Sequence, residues 1–294
     1  MPTAELPSFD LVVATVSRVD ELERLLESLE RQAHERFAVY VVDQNRDGRL
    51  QRVLAAHPAL DIAHLRSEPG LSRARNVGLE HVTADVVTFP DDDCVYPFDL
   101  LERVSRRLVD DPSLDGICGR VADADGRASP SWKTDAALLT DDDLWNRANS
   151  CAVFLRRAVV ERVGGFDEQL GLGSSGPWSS AEEIDYLVRA VRSGARIAFD
   201  PTVVVEHEVR PDDVETGARD GASVGYILRK HAFPARTLVR MLVRPLGGAL
   251  LALARRDGAR ARYYLATVRG RLAGYRGASS SKSSRWRSSQ GSSA

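Results

Sequence analysis

The sequence predicts an α/β protein with a mostly parallel central sheet, helices on both faces, and a C-terminal helical extension. Three observations carry that prediction. Short apolar runs alternate with segments of helical periodicity through roughly the first two hundred residues. Several of these runs end in polar residues, as strands do when ligands gather at their carboxyl ends. Beyond about Pro211 the strand signals stop and Leu, Val, Ala and Arg dominate. With 294 residues, 43% hydrophobic and 28% charged, the chain has ordinary globular composition, and disorder of the whole is excluded.

Leu11–Ala14 is the first apolar run, and Asp20–Gln32 follows with Leu22, Leu25, Leu26 and Leu29 at helical spacing. Val39–Val42 reads as a second buried strand ended by Asp43, and Ile62–Leu65 as a weaker third. Ser72–His81 is helical; Val86–Phe89 is a fourth strand, stopped by Pro90. Phe98–Val109 is a helix and Gly116–Val121 a strand, after which residues 123–147 are polar and irregular. Ala152–Leu155 resumes as a strand, Gly171–Ser180 is a Gly/Ser-rich loop, and Ala181–Arg192 is a helix closed by Gly194. Ile197–Phe199 and Val203–Val205 read as two short strands, and Val224–Gly274 as helices. The expected organisation is an α/β body over residues 1–210, a basic amphipathic helical region over 211–276, and a low-complexity tail over 277–294.

Net charge is -2, but it is unevenly placed: from Arg229 onward 15 basic residues face the single acid Asp257. An acidic body with a basic extension points to an anionic surface as partner of the extension. Thr237–Ala254 is the most membrane-like stretch, yet Arg240, Arg244 and Pro245 interrupt it, so an interfacial helix is expected rather than a spanning one. Nucleic acid is not expected, because the body is acidic and carries no nucleic-acid motif. Three scattered cysteines suit a reducing compartment, and the N-terminus has no secretory pattern. The expectation is therefore a cytoplasmic protein whose basic helices either dock at the inner face of the plasma membrane or pack on the α/β body.

Asp91-Asp92-Asp93 directly follows the fourth strand. Three carboxylates at one strand end repel; either a hard divalent cation such as Mg²⁺ or Mn²⁺ compensates them while keeping positions for phosphates, or they form a solvated turn that caps the next helix. The chain supplies its own control, Asp141-Asp142-Asp143, which sits in the irregular region and reads as a helix cap.

Gly70-Leu71-Ser72-Arg73-Ala74-Arg75-Asn76-Val77-Gly78 followed by Ala84–Asp93 resembles the family 2 glycosyltransferases of the GT-A fold. Four further segments fit in order: Val12–Arg18, Val41–Asn45, Arg156 to Glu168 with its Gly-Gly-Phe-Asp-Glu ending, and Ala181-Glu182-Glu183-Ile184-Asp185. The resemblance spans about residues 8–210. It implies inverting transfer from a nucleoside diphosphate sugar, UDP- or dTDP-linked, to an acceptor hydroxyl, including a lipid-linked saccharide. It also implies a metal site at Asp91 and Asp93, with His207 a further ligand or a diphosphate contact and Asp92 a flanking or ribose contact. Thr15, Arg18 and Asp43 fall where the nucleoside lies, and Asp43 suits a pyrimidine N3–H because a carboxylate only accepts. Arg73 and Arg75 reach toward base or diphosphate, one of them facing the site.

The family usually reads Glu-Asp where this chain has Glu182-Glu183, so Glu183 inherits the role of base, with Glu182 or Asp185 as the alternative. Trp178 is a candidate for stacking on a sugar, within a loop that could close as a lid. Two other classes compete. A nucleotidyltransferase needs a phosphate loop, and residues 11–20 hold neither glycine nor lysine. A non-catalytic sugar-nucleotide binder draws support from the Glu182-Glu183 departure alone.

Overall fold

The computed structural model describes residues 5–128, 132–208 and 213–277. It divides into two units, residues 1–212 and 213–294. The boundary expected near Pro211 and the tail from residue 278 lie outside the described residues.

In the first unit β1 (Phe9–Thr15) is buried along its whole length. It pairs in parallel with β2 (Phe37–Asp43) and β4 (Val86–Thr88), and β2 pairs in parallel with β3 (Ile62–Arg66). Phe9, Leu11 and Val13 join Leu22, Leu25 and Leu26 of α1 (Asp20–Glu30) and Leu101 and Val104 of α4 (Leu100–Asp110) in one core. The alternate residue Val12 faces the other side, where its side chain touches Gly78 of α3 (Leu71–Leu79). This period of two is why a strand with apolar residues throughout needs a helix on each face. A short helix, α2 (Gln51–Ala56), which the sequence reading does not include, follows β2.

The second half of the sheet is mixed. β8 (Val153–Arg156) lies antiparallel between β4 and β6 (Gly116–Ala122). β9 (Ile197–His207) is parallel to β6 and carries the short antiparallel strands β5 (Cys94–Val95) and β7 (Ala137–Leu138). A parallel neighbour requires a crossover helix, and β8 instead emerges from the irregular stretch after β6. The α/β class with helices on both faces stands, with its parallel ladders concentrated in the N-terminal half.

β9 is one strand where the sequence suggests two. Its register against β6 shifts between Cys118 and Arg120, which absorbs Asp200-Pro201-Thr202. At that bulge the strands come close: a Cβ on Gly119 would lie 2.4 Å from the Val203 carbonyl oxygen. Continuing past the bulge, β9 reaches His207, which pairs with Cys94 of β5. Two more helices complete the unit, α5 (Arg157–Val163) and α6 (Glu182–Arg192).

The described residues of the second unit form three helices: α7 (Val214–Lys230), α8 (Ala235–Ala254) and α9 (Gly258–Gly277). α7 and α9 approach closely through small residues; a Cβ on Gly225 would lie 2.1 Å from the Arg271 carbonyl oxygen.

Candidate active site

The site forms where β1, β2 and β4 end. Ala14 bridges to Asp91, so the acidic triplet leaves the sheet beside the end of β1. The β5–β9 ladder then brings His207 against the triplet from a point more than a hundred residues later. One ligand atom each from Asp91, Asp93 and His207 lie within 4.8 Å of one another. His207 Nδ1 is 2.8 Å from the Glu208 carbonyl oxygen, and Nε2 is 3.0 Å from Asp93 Oδ1. With Nδ1 donating to that carbonyl, Nε2 either donates to Asp93 or offers its lone pair to a cation. Burial pulls the imidazole pKa down, and hydrogen bonding and charge from Asp93 outweigh it, leaving a net rise.

Two arginines organise the carboxylates. Arg18 Nη1 lies 2.6 Å from Asp92 and 2.7 Å from Asp93. Asp92 is buried, and desolvation raises its pKa against the pull of Arg18. Arg75 is only 1% exposed; it reaches Asp91 at 2.9 Å and Glu182 at 3.0 Å. Its guanidinium centre sits 5.4 Å from the Phe166 ring and 6.0 Å from the Phe89 ring. The four carboxylates Asp91, Asp92, Asp93 and Glu182 thus face two guanidinium groups. The remaining negative charge, with two oxygen donors and an imidazole converging, fits a hard divalent cation.

Glu182 and Glu183 open α6 and diverge. Ala181, before them, holds the left-handed conformation at φ 66, which costs a non-glycine residue about 1 kcal/mol or more and aims the first turn. Glu182 points inward to Arg75 and is 5% exposed. Glu183 lines a small cleft with Ser150, Phe89, Val153, Phe166 and Tyr186. Desolvation there, and then the charge of Glu182, carry the Glu183 carboxyl well above its ordinary range. Asp185 does not join the cleft: it is fully buried, and Arg189 Nε holds it at 3.0 Å.

Other expected residues land differently. Asp43 ends β2 at 0% exposure, and each of its oxygens already meets two donors. Oδ1 accepts from the Asn45 backbone and side-chain nitrogens, both at 2.8 Å, while Oδ2 meets His64 at 3.0 Å and Arg66 at 2.9 Å. A carboxylate has about four acceptor positions, so Asp43 orders the loop after β2 through these contacts. Arg75 is buried between two acids, and Arg73, on the surface, pairs with Glu168 at 3.0 Å. Thr15 is buried at the end of β1. Trp178 is partly buried, and its segment bridges to Leu170. The Gly171–Ser180 loop is pinned to the start of α3: Leu71 N donates to the Leu172 carbonyl at 2.9 Å, and the Ser72 hydroxyl to the Leu170 carbonyl at 2.7 Å.

Sequence reasoning missed Ser150, whose hydroxyl lies 3.3 Å from Asp91 Oδ2, and the ring of Phe166 beneath Arg75. Asn45, His64 and Arg66 were also missed; Asn45 follows Asp43 closely enough to signal a side-chain turn, but His64 and Arg66 arrive only through the β2–β3 pairing.

A sheet of this topology, with an acidic corner at the end of its fourth strand, defines the GT-A class of nucleotide-sugar proteins. Within that class the chain belongs to glycosyl transferase family 2, whose sequence profile matches residues 10–163. It is 27% identical over 214 residues to the pre-mycofactocin glycosyltransferase of Mycobacterium tuberculosis, covering 68% of this chain and 42% of that protein. The chain therefore spans about four-tenths of the length of that curated relative. The mannosyltransferase PcManGT from Pyrobaculum calidifontis, solved with GDP-Man and Mn²⁺, superposes with a TM-score of 0.65 at 18% identity over 92% of this chain and 88% of that one. S. aureus TarS 1-349 with UDP-GlcNAc gives 0.59 at 18% identity over 88% and 90%.

Proposed function

We propose that this chain is an inverting, metal-dependent glycosyltransferase that moves a sugar from a UDP- or dTDP-linked donor to an acceptor hydroxyl. The observation that carries the reading is Arg75, whose two ends tie Asp91 at the acidic corner to Glu182 at the start of α6. One buried cation thereby fixes the distance between a cation-binding corner and the carboxylate beside it, Glu183. UDP-GlcNAc bound to TarS supports a UDP-linked donor, and GDP-Man bound to PcManGT supports the wider class of nucleotide sugars.

Asp91, Asp93 and His207 would hold Mn²⁺ or Mg²⁺. When bound, such an ion neutralises charge on the departing diphosphate. Glu183 accepts the acceptor's hydroxyl proton as that oxygen bonds to the anomeric carbon and the carbon–oxygen bond to the diphosphate breaks. Its raised pKa makes it a stronger base once ionised. Glu182 is the tie and Glu183 the base, because Glu182 is committed to Arg75. Arg18, Asp92 and Thr15 border the nucleotide, and Asp43 acts through the loop it orders. Trp178 stacks on a sugar ring from a loop held over α3. The acceptor is a lipid-linked saccharide or a related cell-surface or metabolite hydroxyl, met where the basic helical unit contacts a membrane.

A thermal-shift panel of nucleoside diphosphate sugars with and without Mn²⁺, followed by transfer assays on the binders, tests this. A donor that stabilises the protein only with the cation is the expected result. Stabilisation by no sugar nucleotide overturns it.

A further inference from the structure

Helix α8 is apolar on two sides, and its own unit covers one of them. Thr237, Met241, Pro245, Ala249 and Ala252 are buried at the spacing of a single helical face. That face meets α9: Gly248 packs against the Tyr264 ring, and Arg271 donates to the Met241 carbonyl oxygen. Val239, Val243, Leu246, Leu250 and Leu253 recur at alternating steps of four and three residues and form a second stripe. This stripe is open, with Val243 at 58% and Leu250 at 69% exposure. Contiguous exposed apolar surface of this kind marks a docking face. Arg236, Arg240 and Arg244 form a row at four-residue steps, roughly a quarter-turn from the stripe. α8 contains no acidic residue.

We infer that α8 is an interfacial helix whose open stripe enters an anionic lipid bilayer while the arginine row lies at the headgroup phosphates. The inference rests on the membrane reading above and deepens it by naming the face. Two observations select this occupant and orientation. A second copy docked stripe to stripe would bring the arginine row against its counterpart if parallel, or toward Arg255 and Arg256 if antiparallel, with no acid on either helix, and like charges repel. Spanning is also disfavoured, although α8 has the length and a mean hydropathy of 1.5 over its apolar window. α9 packs along it and carries Arg262, Arg269 and Arg276, which would be drawn into hydrocarbon. Lying in the interface satisfies both helices: leucines go down and guanidinium groups meet phosphates.

The test is flotation of the full chain with vesicles of phosphatidylcholine alone or mixed with phosphatidylglycerol. Three proteins are compared: the natural sequence, Leu246→Glu/Leu250→Glu, and Arg236→Gln/Arg240→Gln/Arg244→Gln. All substituted side chains are exposed, so melting temperatures should match. The natural chain should float with the anionic vesicles, and each variant should partition at least about tenfold less. An environment-sensitive dye on Leu250→Cys should shift to the blue with anionic vesicles, which reads the same face without a charge change. If the natural chain ignores both vesicles, the membrane reading fails and the inference with it. If it binds and the leucine variant binds equally, with no dye shift, only the assignment of the face is overturned. A dimer in light scattering that the leucine variant abolishes assigns the stripe to a second copy and overturns the inference.

Discussion

Two runs of three aspartates, 91–93 and 141–143, have the same composition and opposite surroundings. The first leaves a buried strand and gathers Arg18, Arg75, Ser150 and His207 from four separate parts of the chain. The second lies in a turn: Asp143 accepts from the Thr140 hydroxyl at 2.6 Å, and Asp141 pairs with Arg192 at 2.8 Å on the surface. Its expected role as a side-chain helix cap is not what the turn does, since Asp143 bonds backward to Thr140 rather than into the turn of 3-10 helix that follows. Each triplet even has a buried arginine. Arg75 sits between Asp91 and a buried Glu182, whereas Arg147 pairs with a half-buried Asp143 and with Asp135, which is open to water. What separates a binding corner from a turn is thus where the carboxylates are held, not how many there are.

The largest effect should come from Asp93→Ala, with transfer and Mn²⁺-dependent donor binding falling more than about 100-fold while Asp141→Ala changes neither beyond about twofold. Calorimetry of donor binding with and without chelator reads this, and equal effects at the two positions would break the comparison. Glu183→Gln should lower kcat by about 100-fold or more while donor binding stays intact.

Stability should follow the same contrast. Arg75→Met leaves Glu182 buried and unpaired and should cost about 3–5 kcal/mol, whereas Arg147→Met releases acids that water can reclaim and should cost about 1 kcal/mol. Denaturant unfolding of the two variants would falsify the asymmetry if the costs matched. The last contrast is in pH. Because the Glu183 carboxyl titrates above its unfolded value, the folded state holds that proton more tightly, and stability declines as pH rises from the ordinary carboxylate range toward the raised one. Replacement by Gln should flatten that decline in melts taken from pH 5 to pH 8. For the same reason, kcat/KM of the natural chain should still be climbing past neutrality.

Much of this was legible in the chain itself. Leu11–Ala14, Val39–Val42 and Val86–Phe89 carry enough consecutive apolar residues to declare buried strands, and the triplet at their edge is a local feature. The corner's other half, His207, was legible only through the family resemblance and not from periodicity. His207 reaches Asp93 only because a bulge lets β9 run on to a two-residue strand, and two residues have no periodicity to read. Arg73 and Arg75 look alike in sequence, and roughly half a turn of α3 decides that the first meets Glu168 and the second is enclosed. Asp43 stood at the right strand end, but the donors that saturate it come from β3 and its own loop.

The sequence by itself determined the α/β class, the order of its strands and helices, the family and the charge division along the chain, because these follow from local periodicity and from motifs read in order. Tertiary structure alone decided which acid faces which arginine, which of two adjacent glutamates lines the cleft, and which side of α8 stays open. Those outcomes depend on burial and on contacts between segments far apart in the chain, and desolvation is a property of position in the folded molecule rather than of the residue.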